Sequence, residues 1–379
     1  MGPIVQIFRE HGGAYLHRHA LGILPSHRRT IHDICHCRTP SMGGHVYQCS
    51  HCGHYRYSYH CCGNRHCPQC RQPATQRWVQ KRLIELLPVS YFHLVFTLPA
   101  EYRALVRRHQ KIAYGVLFKA AAASLMKLAA DQRYLGAQIG ILSVLHTWSR
   151  AMSYHPHVHL LVPGVGVSRD GRLACFPRRA YLVPVKALSR IFRAKFIALL
   201  KAALPEERLP RVARQKDWVV FCKHLDLGPE KAVAYLGRYL NRVAVHDRRV
   251  RRLPDGDVLV SYRDKEQRKH VRLCPDEFLR RYLQHILPRG FNKVRRYGLL
   301  APGNAPRLKA LRCQLLLTTR IRLTTLAALA VVHQRIERQR KRPCPVCEKG
   351  IMQLVVVSVH SRRARSPPRA GSWTDKGFC

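Results

Sequence analysis

Eight of the chain's 15 cysteines fall within its first 72 residues, and four of them form two C-x2-C pairs, Cys49/Cys52 and Cys67/Cys70. Each pair can grip an ion from a tight turn, and Gly53 and Pro68 stand where such turns need them. The spacing predicts one tetrahedral zinc held by Cys49, Cys52, Cys67 and Cys70. Cys37 and Cys62 are candidates for a second zinc, with Cys35, Cys61, His45 or His66 available to complete it. Four thiolates leave no open coordination position, so zinc here is expected to be structural. The competing reading is a set of buried cysteines without metal. Near the other end, Cys344 and Cys347 make only half a site.

No basic segment followed by a short apolar run opens the chain, so secretion is not indicated. A reducing compartment is expected, where clustered thiols bind metal more often than they form disulfides. The location expected is therefore a bacterial cytoplasm, with the nucleoid. The stretch 120–130 is interrupted by Ser124 and Lys127, and no membrane association is expected. No G-x4-G-K-[ST] phosphate loop occurs, so no nucleotide cofactor is expected.

Charge narrows the partner. The chain carries 67 Lys and Arg against 21 Asp and Glu, a formal net charge of +46. Like charges at this density oppose compaction unless a polyanion neutralises them, and nucleic acid is the commonest one. Hydrophobic residues at 46% are enough for real cores, which argues against a wholly disordered chain.

The pattern divides into a zinc-binding head (1–72), a linker helix (73–88), a mixed core (89–300), a basic helical region holding the Cys344/Cys347 pair (301–358) and a tail (359–379). The linker is an amphipathic stretch with Trp78, Val79, Leu83, Leu86 and Leu87 at helical spacing. In the core, strands are predicted at 91–97, 138–148, 157–162 and 217–222. Helices are predicted at 102–130 (one or two), 186–204, 229–243 and 275–285, and a hairpin at 257–273. Strands mixed with helices give an α+β class.

Two segments of the core have residues suited to chemistry. In His155-Pro-His157-Val-His159, alternate strand residues share a face, so His157 and His159 point together while Val158 and Leu160 enter the core. Two imidazoles so placed can hold one divalent ion and leave positions open for a phosphate oxygen. His146, on the preceding strand, is the expected third ligand. His155 lies on the same face but about 13 Å from His159 along an extended strand. H-x-H alone is a weak signal, since half-buried histidines in strands are common. In the second segment, 230–242, Tyr235 and Tyr239 lie four apart on one helix face, with Arg238 and Arg242 beside them. A phenol attacking phosphorus needs such cations, although aromatic packing beneath a basic surface explains the same spacing.

In their joint order these motifs resemble a known family. The Cys-rich head is followed by F-T-L-P at Phe96–Pro99, L-H-T-W at Leu145–Trp148, H-P-H-V-H at His155–His159 and A-Y-L-G-R-Y at Ala234–Tyr239. L-P-R-G-F at Leu287–Phe291 and R-Y-G-L-L at Arg296–Leu300 come next. The order is similar to that of rolling-circle insertion-sequence transposases of the insertion-sequence ninety-one type. That resemblance implies a His-hydrophobic-His nuclease core, an antiparallel sheet with the histidine strand central and helices flanking it. It further implies His157 and His159 as ligands of a catalytic Mg or Mn, Tyr235 and Tyr239 as nucleophiles, and single-stranded DNA at element ends and target as the partner. The expected chemistry is strand nicking and rejoining through a 5′-phosphotyrosine. A replication initiator or relaxase would share that chemistry. A non-catalytic zinc protein that binds nucleic acid would explain the charge and cysteines but not the histidines and tyrosines.

Overall fold

Two helices that the cysteine pattern does not announce give the head its shape. The computed structural model describes residues 1–70, 87–175, 182–225 apart from 212 and 214, 244–318 apart from 265, and 343–358. Helices α1 (Pro3–Arg18) and α2 (Pro25–His36) each begin with a proline, which is tolerated in the first turn because an N–H there has no intrahelical acceptor. Ile4, Val5, Ile7, Phe8 and Tyr15 form the buried stripe of α1, and α2 supplies Ile31 and Ile34. Arg9 closes the end of α2 by donating to the carbonyls of Cys35 (2.9 Å) and Cys37 (3.0 Å), two acceptors at the helix end.

Beyond α2, β1 (Gly44–Cys49) and β2 (Tyr55–Tyr59) form a hairpin. The other edge of β1 is taken by a strand from far along the chain, β13 (Met352–Ser358), in antiparallel register. The chain divides accordingly into two compact units, Met1–Ala74 with Arg320–Cys379, and Thr75–Thr319. Residues 301–358, expected as one basic helical region, are thus shared between the units. Ala305–Thr318 is a helix of the larger one.

The larger unit is built on a seven-stranded antiparallel sheet. Its central strands are β3 (Tyr91–Thr97), β4 (Ala137–Trp148) and β5 (Tyr154–Pro163), with β5 paired to both of the others. The short β6 (Val165–Ser168) pairs with β4, and β7 (Leu173–Cys175) pairs with β6. On the outer sides, β8 (Val220–Leu225) pairs with β3 and β12 (Val294–Gly298) with β4. Alternation along the strands separates two faces. Leu94, Phe96, Val158, Leu160 and Val162 are fully buried in a core shared with the helices Gln110–Ala130 and Val185–Ala203. Each such side chain contributes roughly 1.5–3 kcal/mol by leaving water, so a charge at Leu160 would oppose the whole layer. Gln110–Ala130 is apolar and long enough to cross a membrane by composition, yet 67% of that window is buried inside the protein. It is the core's central helix.

The strand expected at 91–97 forms as predicted, and 102–130 forms two helices, Arg103–Arg108 and Gln110–Ala130. The strand expected at 217–222 starts later, at Val220, because Trp218 turns into the core and donates its indole N–H to the Ala213 carbonyl at 2.8 Å. The hairpin is present as β10 (Val258–Asp264) and β11 (Gln267–Leu273), with the short β9 (Val250–Arg252) paired to the other edge of β10. The first three residues of the R-Y-G-L-L motif, Arg296, Tyr297 and Gly298, end strand β12. Gly298 there has φ +58°, and an added Cβ would strike the Ile139 carbonyl oxygen, so the motif needs glycine. Most of the linker helix, the helix expected at 229–243 and the tail lie outside the described residues.

Candidate active site

The second face of the large sheet carries the histidines. His146 on β4 stands directly opposite His157 on β5, and His159 stands opposite Val144 and Val95. Cross-strand partners point to the same side, so the three imidazoles converge. Their ring centroids lie 5.3 Å (146–157), 4.4 Å (146–159) and 4.9 Å (157–159) apart. One ring nitrogen from each lies within 4.8 Å of the others, close enough to share an ion after small ring rotations. The expected third ligand, His146, is therefore brought to the pair. His155 is not in the group; its Nδ1 accepts from Arg103 Nη2 at 3.1 Å.

Hydrogen bonds set the rings. His157 Nδ1 lies 2.7 Å from the His155 carbonyl oxygen. A carbonyl only accepts, so Nδ1 carries the proton and Nε2 keeps a lone pair. His159 Nδ1 lies 2.8 Å from Nε2 of His93 on β3, and the two rings stack at 5.1 Å with a 6° tilt. His93 is buried and sits in the same sheet face. His146 stacks on Trp148 at 4.5 Å. Burial is the main cause that holds His93, His157 and His159 neutral. It pushes His93 and His157 down to about 4, and His159 well below the usual range; neighbouring histidines and Lys293 add to the shift for His157 and His159. Neutral imidazole is the form that ligates metal. Three nitrogen donors, with no carboxylate grouped with them among the described residues, suit a divalent ion that must keep positions open for phosphate oxygens.

Two site residues are absent from the sequence reading. His93 has no local motif, although a polar side chain inside Y-F-H-L-V-F is itself a signal. Lys293 holds its ammonium 4.7 Å over the Trp148 ring and close enough to the histidines to lower their proton affinity. It places positive charge beside the site. Tyr235, Tyr239, Arg238 and Arg242 lie outside the described residues.

In the head, the expected quartet Cys49, Cys52, Cys67 and Cys70 is not one cluster. Cys67 and Cys70 instead join Cys37 and Cys62, with all four sulfurs within 4.8 Å; Cys37–Cys70 is 3.5 Å and Cys62–Cys70 is 3.6 Å. Cys49 and Cys52 gather with Cys344 and Cys347. The reason is topological. Cys37 follows directly on α2, whose end reaches the 62–70 loop through Asp33, the acceptor of Asn64 Nδ2 at 2.9 Å. Cys49 ends β1, whose free edge takes β13.

Known proteins share both regions. Residues 7–98 match the family described as "Transposase zinc-binding domain", of the IS91 type, and residues 140–309 match the family described as "Putative transposase". The protein "Putative transposase y4qJ" of Sinorhizobium fredii (strain NBRC 101917 / NGR234) is 37% identical over 397 residues, spanning 97% of this chain and 98% of its own. The chain belongs to the IS91-type transposases. The transposase is also 29% identical over 290 residues to "Transposase for insertion sequence element IS801" of Pseudomonas savastanoi pv. phaseolicola, covering 72% of this chain and 70% of that one. Among solved structures, "The structure of TrwC complexed with a 27-mer DNA comprising the recognition hairpin and the cleavage site" aligns over 59% of the transposase and 73% of that chain. Identity there is 14% and the TM-score 0.27, too low to bear on the fold.

Proposed function

We propose that the transposase nicks and rejoins single-stranded DNA at element ends and target during rolling-circle transposition, with His146, His157 and His159 holding a catalytic Mg or Mn ion. The observation that carries this reading is the convergence of three buried imidazoles on one face of an antiparallel sheet, two of them held neutral by burial, beside Lys293, in a chain of this family. When bound, the ion acts as a Lewis acid on the scissile phosphate. His157, fixed by the His155 carbonyl, and His159, fixed by His93, present lone pairs without reorganising. Lys293 adds charge where a phosphate would sit.

Tyr235 or Tyr239 supplies the attacking phenol oxygen, with Arg238 and Arg242 on the same stretch to hold the strand. The new Tyr–phosphorus ester forms as the bond to the 3′-oxygen breaks, leaving a 5′-phosphotyrosine and a free 3′-hydroxyl. One phosphodiester replaces another, so no nucleotide need be hydrolysed. The Cys37, Cys62, Cys67 and Cys70 cluster binds zinc in a structural role, and the head it shapes is the DNA-contacting domain, with 89–300 as the catalytic one. A transposase of this kind works in the cytoplasm, at the nucleoid.

The test is nicking of labelled single-stranded oligonucleotides with Mg or Mn supplied. His157→Ala and His159→Ala should lose nicking by 100-fold or more while DNA affinity changes less than about threefold, since binding draws on dispersed cations. Normal nicking by both variants would remove the metal assignment.

A further inference from the structure

Cys52 and Cys344 are 292 positions apart in sequence, yet their sulfurs lie 3.6 Å apart. Cys49 and Cys347 stand 3.7 Å apart in the same cluster, and all four sulfurs fall within 4.8 Å. Four sulfurs each about 2.3 Å from one tetrahedral zinc would be about 3.8 Å from one another. A disulfide would need about 2.05 Å. We propose that Cys49, Cys52, Cys344 and Cys347 bind a zinc ion of their own, which clasps the far end of the chain into the N-terminal head. The zinc-binding family match, residues 7–98, contains Cys49 and Cys52 but stops well short of Cys344.

Both halves are already folded as metal-binding turns. The backbone N–H groups of His51 and Cys52 point at Cys49 Sγ from 3.4 and 3.5 Å. Those of Val346 and Gly350 point at Cys344 Sγ and Cys347 Sγ from 3.4 and 3.5 Å. Donors aimed at sulfur favour the thiolate, which is the form that ligates zinc. Turn closure matches as well: Gly53 N–H donates to the Cys49 carbonyl at 3.2 Å and Glu348 N–H to the Cys344 carbonyl at 2.9 Å. Gly350 shows how closely the halves fit. A Cβ there would collide with Cys49 Sγ and stand 2.9 Å from the His51 nitrogen.

The β1–β13 ladder and the Ser50 N–H bond to the Ile351 carbonyl (3.1 Å) join the two segments, but little apolar packing supports them. The apolar cluster at the site is small, with Tyr47, Cys49, Cys344 and Met352 its buried members. Strand β13 follows the second turn directly, and its register sets Met352 opposite Cys49. The ion therefore sits at the end of the β1–β13 ladder and anchors that strand. It follows that the head is complete only in a chain made through Ser358. A chain ending before Pro343 would keep the Cys37, Cys62, Cys67 and Cys70 cluster but leave the edge of β1 open.

The test uses the full-length protein, purified in reductant without chelator. Elemental analysis should find two zinc ions per chain, and the Cys344→Ser, Cys347→Ser double variant should retain one. In that variant, limited proteolysis within 343–358 should become at least tenfold faster. Cobalt substitution keeps the test decisive if the double variant folds poorly. Cys347→His retains a ligand, so its sulfur-to-cobalt charge-transfer band should weaken and shift. One zinc in the wild type, two zincs in the double variant, or an unchanged cobalt spectrum in Cys347→His would each overturn the clasp. None of these readouts involves DNA or nicking, so failure here is distinct from failure of the nuclease reading.

Discussion

His93→Phe isolates the part of the active site that lies outside the ligands themselves. The aromatic ring and its stacking on His159, at 5.1 Å and 6°, are retained, while the 2.8 Å contact between His93 Nε2 and His159 Nδ1 is lost. His93 is neutral at the assay pH, with burial holding it near 4, so no charge is removed. Loss of such an outer partner costs about 10- to 100-fold in metal affinity, or about 1.4–2.7 kcal/mol. Calorimetric titration with Mn²⁺ at pH 7.5 measures this directly. The metal concentration for half-maximal nicking should rise by the same factor, and the rate at saturating metal should fall only a few-fold. His93→Gln offers an acceptor oxygen to His159 Nδ1–H and should recover part of the affinity. The melting temperature should stay within a few degrees of wild type, because Phe suits the buried site. If His93→Phe binds Mn²⁺ as tightly as wild type, His93 does not orient His159 toward a metal and the argument fails.

Two further predictions concern the whole protein. With +46 of net charge, affinity for a single-stranded oligonucleotide should fall at least tenfold between 50 and 200 mM salt, as displaced counterions return; fluorescence anisotropy showing a flat response would contradict it. His285 is fully buried, with Nδ1 3.2 Å from Thr147 Oγ1 and Nε2 3.1 Å from the Met152 carbonyl, and burial pushes it down to about 3. The folded protein resists the proton that the unfolded chain accepts near pH 6.5, so this stability is complete above 6.5. It declines as pH falls toward 3, by about 1.4 kcal/mol per pH unit and at most about 5 kcal/mol. Urea unfolding of His285→Gln between pH 6 and 4 should show a slope smaller by about one proton; an unchanged slope would exclude His285 as a source.

Legibility in the sequence followed the range of the interactions. The histidine strand could be read because alternation is local: His157 and His159 must share a face whatever the fold, and Val158 and Leu160 must take the other. His146 could be read because consecutive strands pair readily as hairpins. His93 and Lys293 could not, since they reach the site only through the β3–β5 pairing and the segment leading into β12. The cysteines divide the same way. Each C-x2-C pair is a local turn and was evident, but a pair is half a site. Which halves meet is decided by α2 and by the β1–β13 ladder, both non-local to the pairs. Sequence proximity joined Cys49/Cys52 to Cys67/Cys70, whereas sheet topology separates them. The head helices were missed because their apolar stripes lie among basic and histidine residues that mask the periodicity.

The central claim, strand transfer through a tyrosine, is tested most directly by trapping the covalent product. Full-length protein is incubated with a 5′- or 3′-labelled single-stranded oligonucleotide of an element end and Mn²⁺, then run on a denaturing gel. The account predicts a protein–DNA band carrying the strand 3′ of the nick, with mass spectrometry placing the 5′-phosphate on Tyr235 or Tyr239. Each Phe substitution removes only a hydroxyl. The Tyr235→Phe, Tyr239→Phe double variant should therefore form no adduct, and His157→Ala should form almost none. A covalent band that persists in the double variant, or a nick that leaves a free 5′-phosphate with no protein attached, would contradict it.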